Sequence, residues 1–224
     1  PQLPDTDGDT VPDGVEVALG SSPLDATTPG FLTDAPGAAT VTVHNQSGGT
    51  VAVYLLFNAD SCYKPQSLDL SFCTVSPVNS LLCSFSLDAG RNQPMTFNDS
   101  TCTASFNVAG NSEPSTGCSV NQAEFTLHDD WGKWGGWMDT YDISLVNGFN
   151  MPMSIVPSSG TPIEVKFLSH NQANSGVYPN GCDNCTGSQI TCTGPPHECK
   201  MNTASHPCQL SQASGANFTV NFLQ

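Results

Sequence analysis

The sequence TVTVH at residues 40–44 alternates polar and apolar side chains, and TVAVY at residues 50–54 repeats the alternation. Side chains of a β-strand point alternately to its two faces, so each run predicts a strand that is buried on one side. Gly48 and Gly49, between the runs, predict a hairpin turn. Similar patterns occur at residues 81–87, 103–108, 122–127, 140–146, 162–168 and 217–222. Short strands separated by Gly, Pro and Asn are typical of a β-sandwich or barrel, so we predict an all-β fold.

The composition excludes several kinds of partner. The 224 residues carry 20 acidic and five basic side chains, a net charge of −15. Nucleic acid is excluded because so few cations cannot neutralise phosphates, and anionic membrane surfaces are disfavoured for the same reason. The sequence has no apolar run of the length that spans a bilayer. With 38% hydrophobic and 11% charged residues, the chain is expected to fold rather than to be disordered.

The cysteines indicate an oxidising compartment. This many cysteines are typical of secreted proteins, where they form disulfides. They are Cys62, Cys73, Cys83, Cys102, Cys118, Cys182, Cys185, Cys192, Cys199 and Cys208. A zinc site within residues 182–208 is the alternative, but the spacing lacks a clean second Cys pair. The pairing of the cysteines is left open.

Four N-glycosylation sequons also favour export, and they begin at Asn45, Asn98, Asn184 and Asn217. We therefore expect a secreted, extracellular protein whose leader has been removed.

The first thirty residues form a separate acidic segment with six carboxylates and no Lys, Arg or Cys. Residues 5–16 (DTDGDTVPDGVE) place acids at loop positions 1, 3, 5, 9 and 12, the spacing that surrounds Ca²⁺ with oxygen ligands. The predicted ligands are Asp5, Asp7, Asp9, the Val11 carbonyl, Asp13 and Glu16. A short helix is predicted from Pro12 to Gly20.

This segment resembles, over about residues 5–25, the calcium-binding repeats of the thrombospondin type 3 class. Thr10 departs from the glycine that an EF-hand loop has at its sharp turn, which predicts lower affinity. So small a unit has almost no apolar surface to bury and must dock on something. We therefore expect two domains, a calcium-binding repeat and linker at residues 1–30 and a β-domain at residues 31–224.

The β-domain resembles the thaumatin-like family. The run YDISLVNGFNMPM at residues 141–153 is similar to the family stretch YDVSLVDGFNLPM, and AEFTL at residues 123–127 is similar to the strand before it. LDAG at residues 87–90 and FTVNF at residues 218–222 fit the family order more loosely. The resemblance extends over about residues 38–224, as a distant member. It implies a two-sheet, disulfide-stapled β-sandwich, preceded here by the short calcium-binding loop and helix.

Antifungal and glucanase members of that family carry an acidic cleft of one Arg, one Glu and three Asp. The resemblance places the Glu at Glu124 and the first Asp at Asp142, whereas the second Asp falls on Asn147. The arginine has no clear counterpart, because Arg91 lies too early in the chain, and Asp183 lies near the last acidic position. Glu124, Asp142 and Asp139 are therefore only weak catalytic candidates, and we expect a protein without enzymatic activity.

The insertion HDDWGKWGGWM at residues 128–138 holds all three tryptophans, Trp131, Trp134 and Trp137. Flat aromatic rings stack on sugars and also anchor protein interfaces. The alternative is that these rings fold back over the sheet and cover the core. The segment is the predicted ligand or partner contact.

The sequence therefore predicts two alternative functions. The first is a secreted, calcium-stabilised structural or adhesive subunit that assembles head-to-tail into an extracellular fibre, in which residues 1–30 clasp the next copy. The second is a carbohydrate-binding, antifungal protein that acts on β-glucan, an extracellular polysaccharide, or a weak β-1,3-glucanase.

Overall fold

A computed structural model describes residues 6–7, 13, 24, 37–68, 70–99, 101–114, 120–130, 137–145, 147–166, 176–178 and 209–224. Within these residues the regular elements are β-strands arranged in two sheets. The first half of the chain supplies β1 (Ala39–Asn45), β2 (Val51–Phe57), β3 (Thr74–Val75), β4 (Leu82–Leu87), β5 (Asn92–Phe97) and β6 (Ala104–Gly110). The second half supplies β7 (Gln122–Asp130), β8 (Trp137–Ser144), β9 (Met153–Pro157), β10 (Ile163–Val165), β11 (Val177–Tyr178), β12 (Leu210–Ala213) and β13 (Phe218–Phe222).

The small sheet has five strands in the order β10-β9-β13-β1-β5. The large sheet has eight strands, in the order β11-β8-β7-β6-β2-β4-β3, with β12 pairing on β8. This arrangement confirms the predicted all-β sandwich. In the part of the chain that is described, no helix is long and apolar enough to cross a membrane.

The predicted hairpin at Gly48 and Gly49 is wrong. Strands β1 and β2 both alternate buried and half-buried residues, but β1 pairs with β5 and β13 of the small sheet, whereas β2 pairs with β4 and β6 of the large one. The connection therefore passes from one sheet to the other. A two-residue hairpin turn requires left-handed backbone, and neither glycine has a positive φ.

Aromatic rings from both sheets fill the interior. Phe97 of the small sheet stacks on Phe106 of the large sheet with ring centroids 5.0 Å apart, and Phe106 stacks on Phe125 at 5.3 Å. Phe125 meets Phe218 of the small sheet edge to face at 5.3 Å. These contacts hold the inward side of β6 and β7 against the small sheet, which leaves alternate residues of the same strands on the outer face.

Two disulfides lie in the described residues. Cys62 bonds to Cys102 across 40 residues, and Cys73 bonds to Cys83 across ten. The first links the loop after β2 to the segment before β6, and the second links the β3 region to β4. Both therefore staple loops to the large sheet. The other six cysteines, and with them the alternative zinc site, lie outside the described residues.

Candidate functional site

The candidate site is a cross-strand row of polar side chains on the outer face of the large sheet. Asn107 of β6 lies opposite Glu124 of β7, and Glu124 lies opposite Asp142 of β8. The neighbours Phe125 and Tyr141 point into the core, so strand alternation directs Glu124 and Asp142 outward. Directly opposite residues of antiparallel strands have Cα atoms about 4.5–5.5 Å apart, which brings the two carboxyl groups side by side.

These two carboxyl groups line a pocket of about 130 Å³, which we call the carboxyl pocket. Its other lining residues are neutral, and most carry a hydroxyl or amide group. They are Asn58, Ser105, Asn107, Phe125, Thr126, Thr140 and Gln209. No lysine, arginine or histidine is among the described residues that line it, so the carboxyl pair faces hydrogen-bonding groups rather than a cation.

Asp142 is almost completely buried, with 1% of its surface exposed. Its Oδ1 atom accepts a long hydrogen bond of 3.4 Å from the Gln209 side-chain amide. Its Oδ2 atom is buried and has no hydrogen-bond partner. Leaving a buried polar atom without a partner costs about 1–3 kcal/mol, so this oxygen is an acceptor that a bound ligand can satisfy.

Burial raises the pKa of both Glu124 and Asp142, and the neighbouring Glu124 carboxylate raises the pKa of Asp142 further. The cause is that a low-dielectric environment and a nearby like charge both disfavour the ionised form. The two groups titrate as a pair. The pair therefore retains a proton at pH values where an exposed carboxyl group has lost it, and can act as both donor and acceptor.

Two of the remaining positions of the family's acidic cleft, Arg91 and Asn147, are described and do not join this pair. Arg91 lies in the turn between β4 and β5, and neither Arg91 nor Asn147 is among the residues that line the carboxyl pocket. Asp183 lies outside the described residues.

Asp139 lies on the other side of β8, away from the carboxyl pocket. It is fully buried. Its Oδ1 accepts hydrogen bonds from the His128 backbone amide at 2.9 Å and the Ser214 hydroxyl at 2.8 Å. Its Oδ2 accepts from the backbone amides of Gly215 at 3.0 Å and Ala216 at 3.4 Å. Through these hydrogen bonds, Asp139 of β8 holds β7 and the turn before β13 in place.

A β-bulge interrupts β7 near Asp139. The pairing of β7 with β8 shifts register between Thr126 and Asp129, and His128 within the shift has a left-handed φ of 54°. The His128 ring is fully buried, and neither ring nitrogen has a hydrogen-bond partner. The sequence pattern did not predict this bulge, because the predicted strand ended at residue 127 and HDD was assigned to the insertion at residues 128–138, whereas β7 continues to Asp130.

Of the three tryptophans, only Trp137 lies in the described residues. It begins β8 opposite Asp130 and is half-buried. Strand alternation places it on the same side of β8 as Asp139 and Tyr141, so it does not line the carboxyl pocket. Trp131 and Trp134 lie outside the described residues, and the predicted aromatic contact stays a prediction.

Two of the predicted calcium ligands, Asp7 and Asp13, are described. The Asp13 carboxylate accepts hydrogen bonds from the Thr6 amide at 2.7 Å and the Thr6 hydroxyl at 2.6 Å, and these bonds lower the pKa of Asp13. Asp5, Asp9, Val11, Glu16 and most of the predicted helix lie outside the described residues. Among the side chains that are described, no group of three His, Cys, Asp or Glu is arranged to hold a metal. The calcium site stays a prediction.

The sequons differ in accessibility. Asn98 and Asn217 are exposed, whereas Asn45 is fully buried and its Nδ2 atom donates to the carbonyls of Gly49 and Leu87 at 2.8 and 2.7 Å. A glycan would have to be attached to that same nitrogen, so the folded structure argues against Asn45 as an acceptor. Asn184 lies outside the described residues.

Together, the fold and site define a disulfide-stapled β-sandwich whose larger sheet carries a carboxyl pair on its outer face, formed by the buried Asp142 and the half-buried Glu124. A family model described as the Thaumatin family matches residues 81–218. The chain therefore belongs to the thaumatin family. This match contains the carboxyl pocket strands β6, β7 and β8 and leaves the first 80 residues outside it, so the thrombospondin-type resemblance stays a prediction.

The chain is similar to several known proteins, including the following three. A thaumatin-like protein from Arabidopsis thaliana is 28% identical over 153 residues, which cover 53% of this chain and 58% of the relative. A glucan endo-1,3-beta-glucosidase from Prunus avium is 63% identical over 27 residues, 12% of this chain and 11% of the relative. The solved structure of a thaumatin-like xylanase inhibitor is 17% identical, with a TM-score of 0.39, and the match covers 81% of this chain and 97% of that one. The chain spans less than two thirds of the length of these curated relatives.

Proposed function

We propose that this thaumatin-family protein is secreted and binds a neutral polysaccharide, β-1,3-glucan being the first to test, through the carboxyl pocket. The observation that carries the proposal is the buried Asp142 Oδ2 atom, which has no hydrogen-bond partner and lies beside a second carboxyl group of raised pKa. The disulfides support an oxidising, extracellular location.

The chemistry of the lining suits sugar hydroxyls. Each hydroxyl is a donor and an acceptor, and the pocket offers both kinds of group in its amides, hydroxyls and proton-retaining carboxyl pair. A site built to hydrogen-bond hydroxyl groups rejects ligands that lack them, because its own buried groups would then stay unpaired. A charged ligand has no complementary cation among the described lining residues, so a neutral ligand is favoured.

Binding is better supported than cleavage. The placement of Glu124 opposite Asp142 does not separate the two activities, because retaining glycosidases hold their two carboxyl groups only about 5–5.5 Å apart. The size of the pocket favours binding, since about 130 Å³ is smaller than the roughly 300–1,000 Å³ of sites that enclose a ligand. The pocket therefore contacts one edge of a sugar chain. The Prunus avium relative is named a glucosidase, so sugar release is measured alongside binding.

The test is co-sedimentation with insoluble β-1,3-glucan, with cellulose and chitin as comparison polymers. The wild-type protein is expected to sediment with β-1,3-glucan, and the double variant E124A/D142A is expected to stay in solution. D60N, a change at an exposed acidic residue, is the matched control and should sediment like wild type. If E124A/D142A sediments as well as wild type, the carboxyl pocket is not the binding site.

Calcium-dependent self-assembly is the second candidate function. It is favoured by the acidic segment, in which the Asp13 carboxylate closes a loop back onto Thr6. In this proposal the segment at residues 1–30 binds Ca²⁺ and also binds the next copy of the protein head-to-tail. Because such a contact does not form a closed ring, repeated binding builds a fibre. Equilibrium sedimentation with Ca²⁺ and with a chelator tests it. Assembly that is lost in the chelator and in D5A/D9A supports the proposal, and monomers under both conditions refute it.

A further inference from the structure

A second cavity lies on the large sheet, beside the carboxyl pocket. Its volume is about 520 Å³, and we call it the aromatic groove. The residues that give it its chemical character are Tyr54, Phe72, Ser84, Phe85, Ser86 and Gln93. The volume is within the range of sites that hold small ligands.

Strand register explains how the groove forms. Tyr54 of β2 lies opposite Ser84 of β4, and Ser84 also lies opposite Thr74 of β3. The residues on either side of Tyr54, Val53 and Leu55, are fully buried in the core, so alternation directs Tyr54 to the outer face. Tyr54 is only half-buried there, and its ring therefore has a surface that a ligand can contact.

The lining of the groove carries no charged side chain. It includes three aromatic residues together with hydroxyl and amide groups. Phe85 lies opposite the core residue Val53 and packs edge to face on Phe72 with ring centroids 4.9 Å apart. Tyr54 is therefore the aromatic lining residue that alternation directs to the outer face. A ligand for such a surface needs a flat apolar face as well as hydroxyl groups. A sugar ring has both. An anionic ligand would find no cation in this lining and would meet a chain with a net charge of −15.

Strand register places Tyr54 of the groove near the carboxyl pocket, although the two cavities share no lining residue. Leu56, two residues beyond Tyr54 on the same face of β2, lies opposite Asn107, which lines the carboxyl pocket. Tyr54 is thus a diagonal neighbour of Asn107, at a distance of about 7–8 Å. From β2 to β8 there are three strand spacings, about 14 Å in total. One ligand lying across the strands can therefore contact Tyr54 and Asp142 together.

We propose that the aromatic groove is a second subsite for the same neutral polysaccharide, so that the protein binds a linear chain of several sugars across β2, β6, β7 and β8. The proposal rests on the proposed function of the carboxyl pocket. It identifies the ligand as an extended neutral glycan rather than a mono- or disaccharide, and it assigns Tyr54 as the stacking residue.

Isothermal titration calorimetry with β-1,3-linked glucose oligomers tests the proposal. The wild-type protein is expected to bind the hexasaccharide at least tenfold more tightly than the disaccharide. Y54A is expected to weaken hexasaccharide binding by about tenfold, a typical effect of losing an aromatic contact, and to leave disaccharide binding unchanged. Y54F keeps the ring and should bind like wild type.

V156A is the matched control, because Val156 is a 42%-exposed apolar residue on β9 of the small sheet. Thermal melting checks that each variant is folded. If Y54A binds the hexasaccharide like wild type while E124A/D142A does not, the carboxyl pocket acts alone and the aromatic groove is not a subsite. If the wild-type protein binds neither oligomer, the proposed function fails and this inference fails with it.

Discussion

Glu124 and Asp142 bring two acidic groups into a place from which solvent is largely excluded. The sheet register holds them opposite each other, and burial raises the pKa of both. Burying two neighbouring carboxyl groups without a cation is costly. In the proposed function this cost is offset when a ligand binds to the pair.

The carboxyl pair should make the protein less stable as pH rises. In the unfolded chain these groups titrate at about pH 4, whereas their pKa is raised in the folded chain. The folded state therefore holds more protons above pH 4, and stability falls as pH rises through the raised pKa values. E124Q/D142N removes this dependence. We expect it to be more stable than wild type at pH 8 by about 1–3 kcal/mol and equal near pH 4.

Urea denaturation between pH 4 and pH 8.5 measures this difference. D60N alters an exposed carboxyl group and is expected to follow the wild-type profile. A double variant that is less stable than wild type at pH 8 would show that the pair is ionised and stabilised by partners.

Asp139 should be essential for folding rather than for binding. D139A leaves the backbone amides of His128, Gly215 and Ala216 without their acceptor, and each buried unpaired group costs about 1–3 kcal/mol. A loss of at least about 3 kcal/mol in unfolding free energy is expected from urea denaturation. S214A removes a single hydrogen bond to the same carboxylate and should cost about 1 kcal/mol. Equal losses for the two variants would contradict this role.

At the scale of the elements, the local pattern predicted the strands better than their partners. Alternation correctly indicated β1, β2, β6, β7 and β13, because each buries one face. It missed β5, whose sequence NQPMTF contains Pro94 and buries only Met95 and Phe97. Proline is tolerated in β5 because this is the edge strand of the small sheet. The pairing of β1 with β13 is a contact between distant parts of the chain, which alternation within one strand does not encode.

The candidate site was also predictable only in part, because alternation within one strand does not encode which strands pair. The family resemblance located Glu124 and Asp142, and the register shows that they are opposite each other. Asp139 was added as a possible substitute for one of them, although strand alternation puts it on the opposite side of β8. The aromatic groove was not predicted, because β2, β3 and β4 bring its residues together from separate parts of the sequence.

Gly110 at the end of β6 should tolerate no side chain. A Cβ atom there would lie 2.3 Å from Met151 Sδ and 3.0 Å from Phe222 Cε1. G110A is therefore expected to lower the unfolding free energy by about 1–3 kcal/mol through overpacking. G49A is the matched control, because nothing lies within 4 Å of its Cβ position. Similar midpoints of urea unfolding for the two variants would contradict this packing.

At the scale of the whole molecule, function depends on which surfaces stay open. The outer face of the large sheet carries the carboxyl pocket and Tyr54 of the aromatic groove. Glycans attached elsewhere would leave this face free. The exposed sequons Asn98 and Asn217 do not line either cavity.

Glycosylation should follow side-chain accessibility. Expressed through a eukaryotic secretory pathway, the protein is expected to carry glycan at Asn98 and Asn217 but not at Asn45, whose Nδ2 is engaged in two buried hydrogen bonds. Mass spectrometry of peptides after enzymatic deglycosylation in heavy-oxygen water identifies the occupied sites. Substantial occupancy of Asn45 in folded protein would contradict the burial of this side chain.

The central claim, that the outer face of the large sheet binds a neutral glycan, is tested most directly by NMR chemical-shift mapping. A ¹⁵N-labelled sample is titrated with the β-1,3-linked glucose hexasaccharide. The account predicts that the largest shifts occur at the amides of Tyr54, Asn107, Glu124 and Asp142, with no shifts on the small sheet. Shifts confined to the small sheet, or no shifts at saturating hexasaccharide, would contradict it.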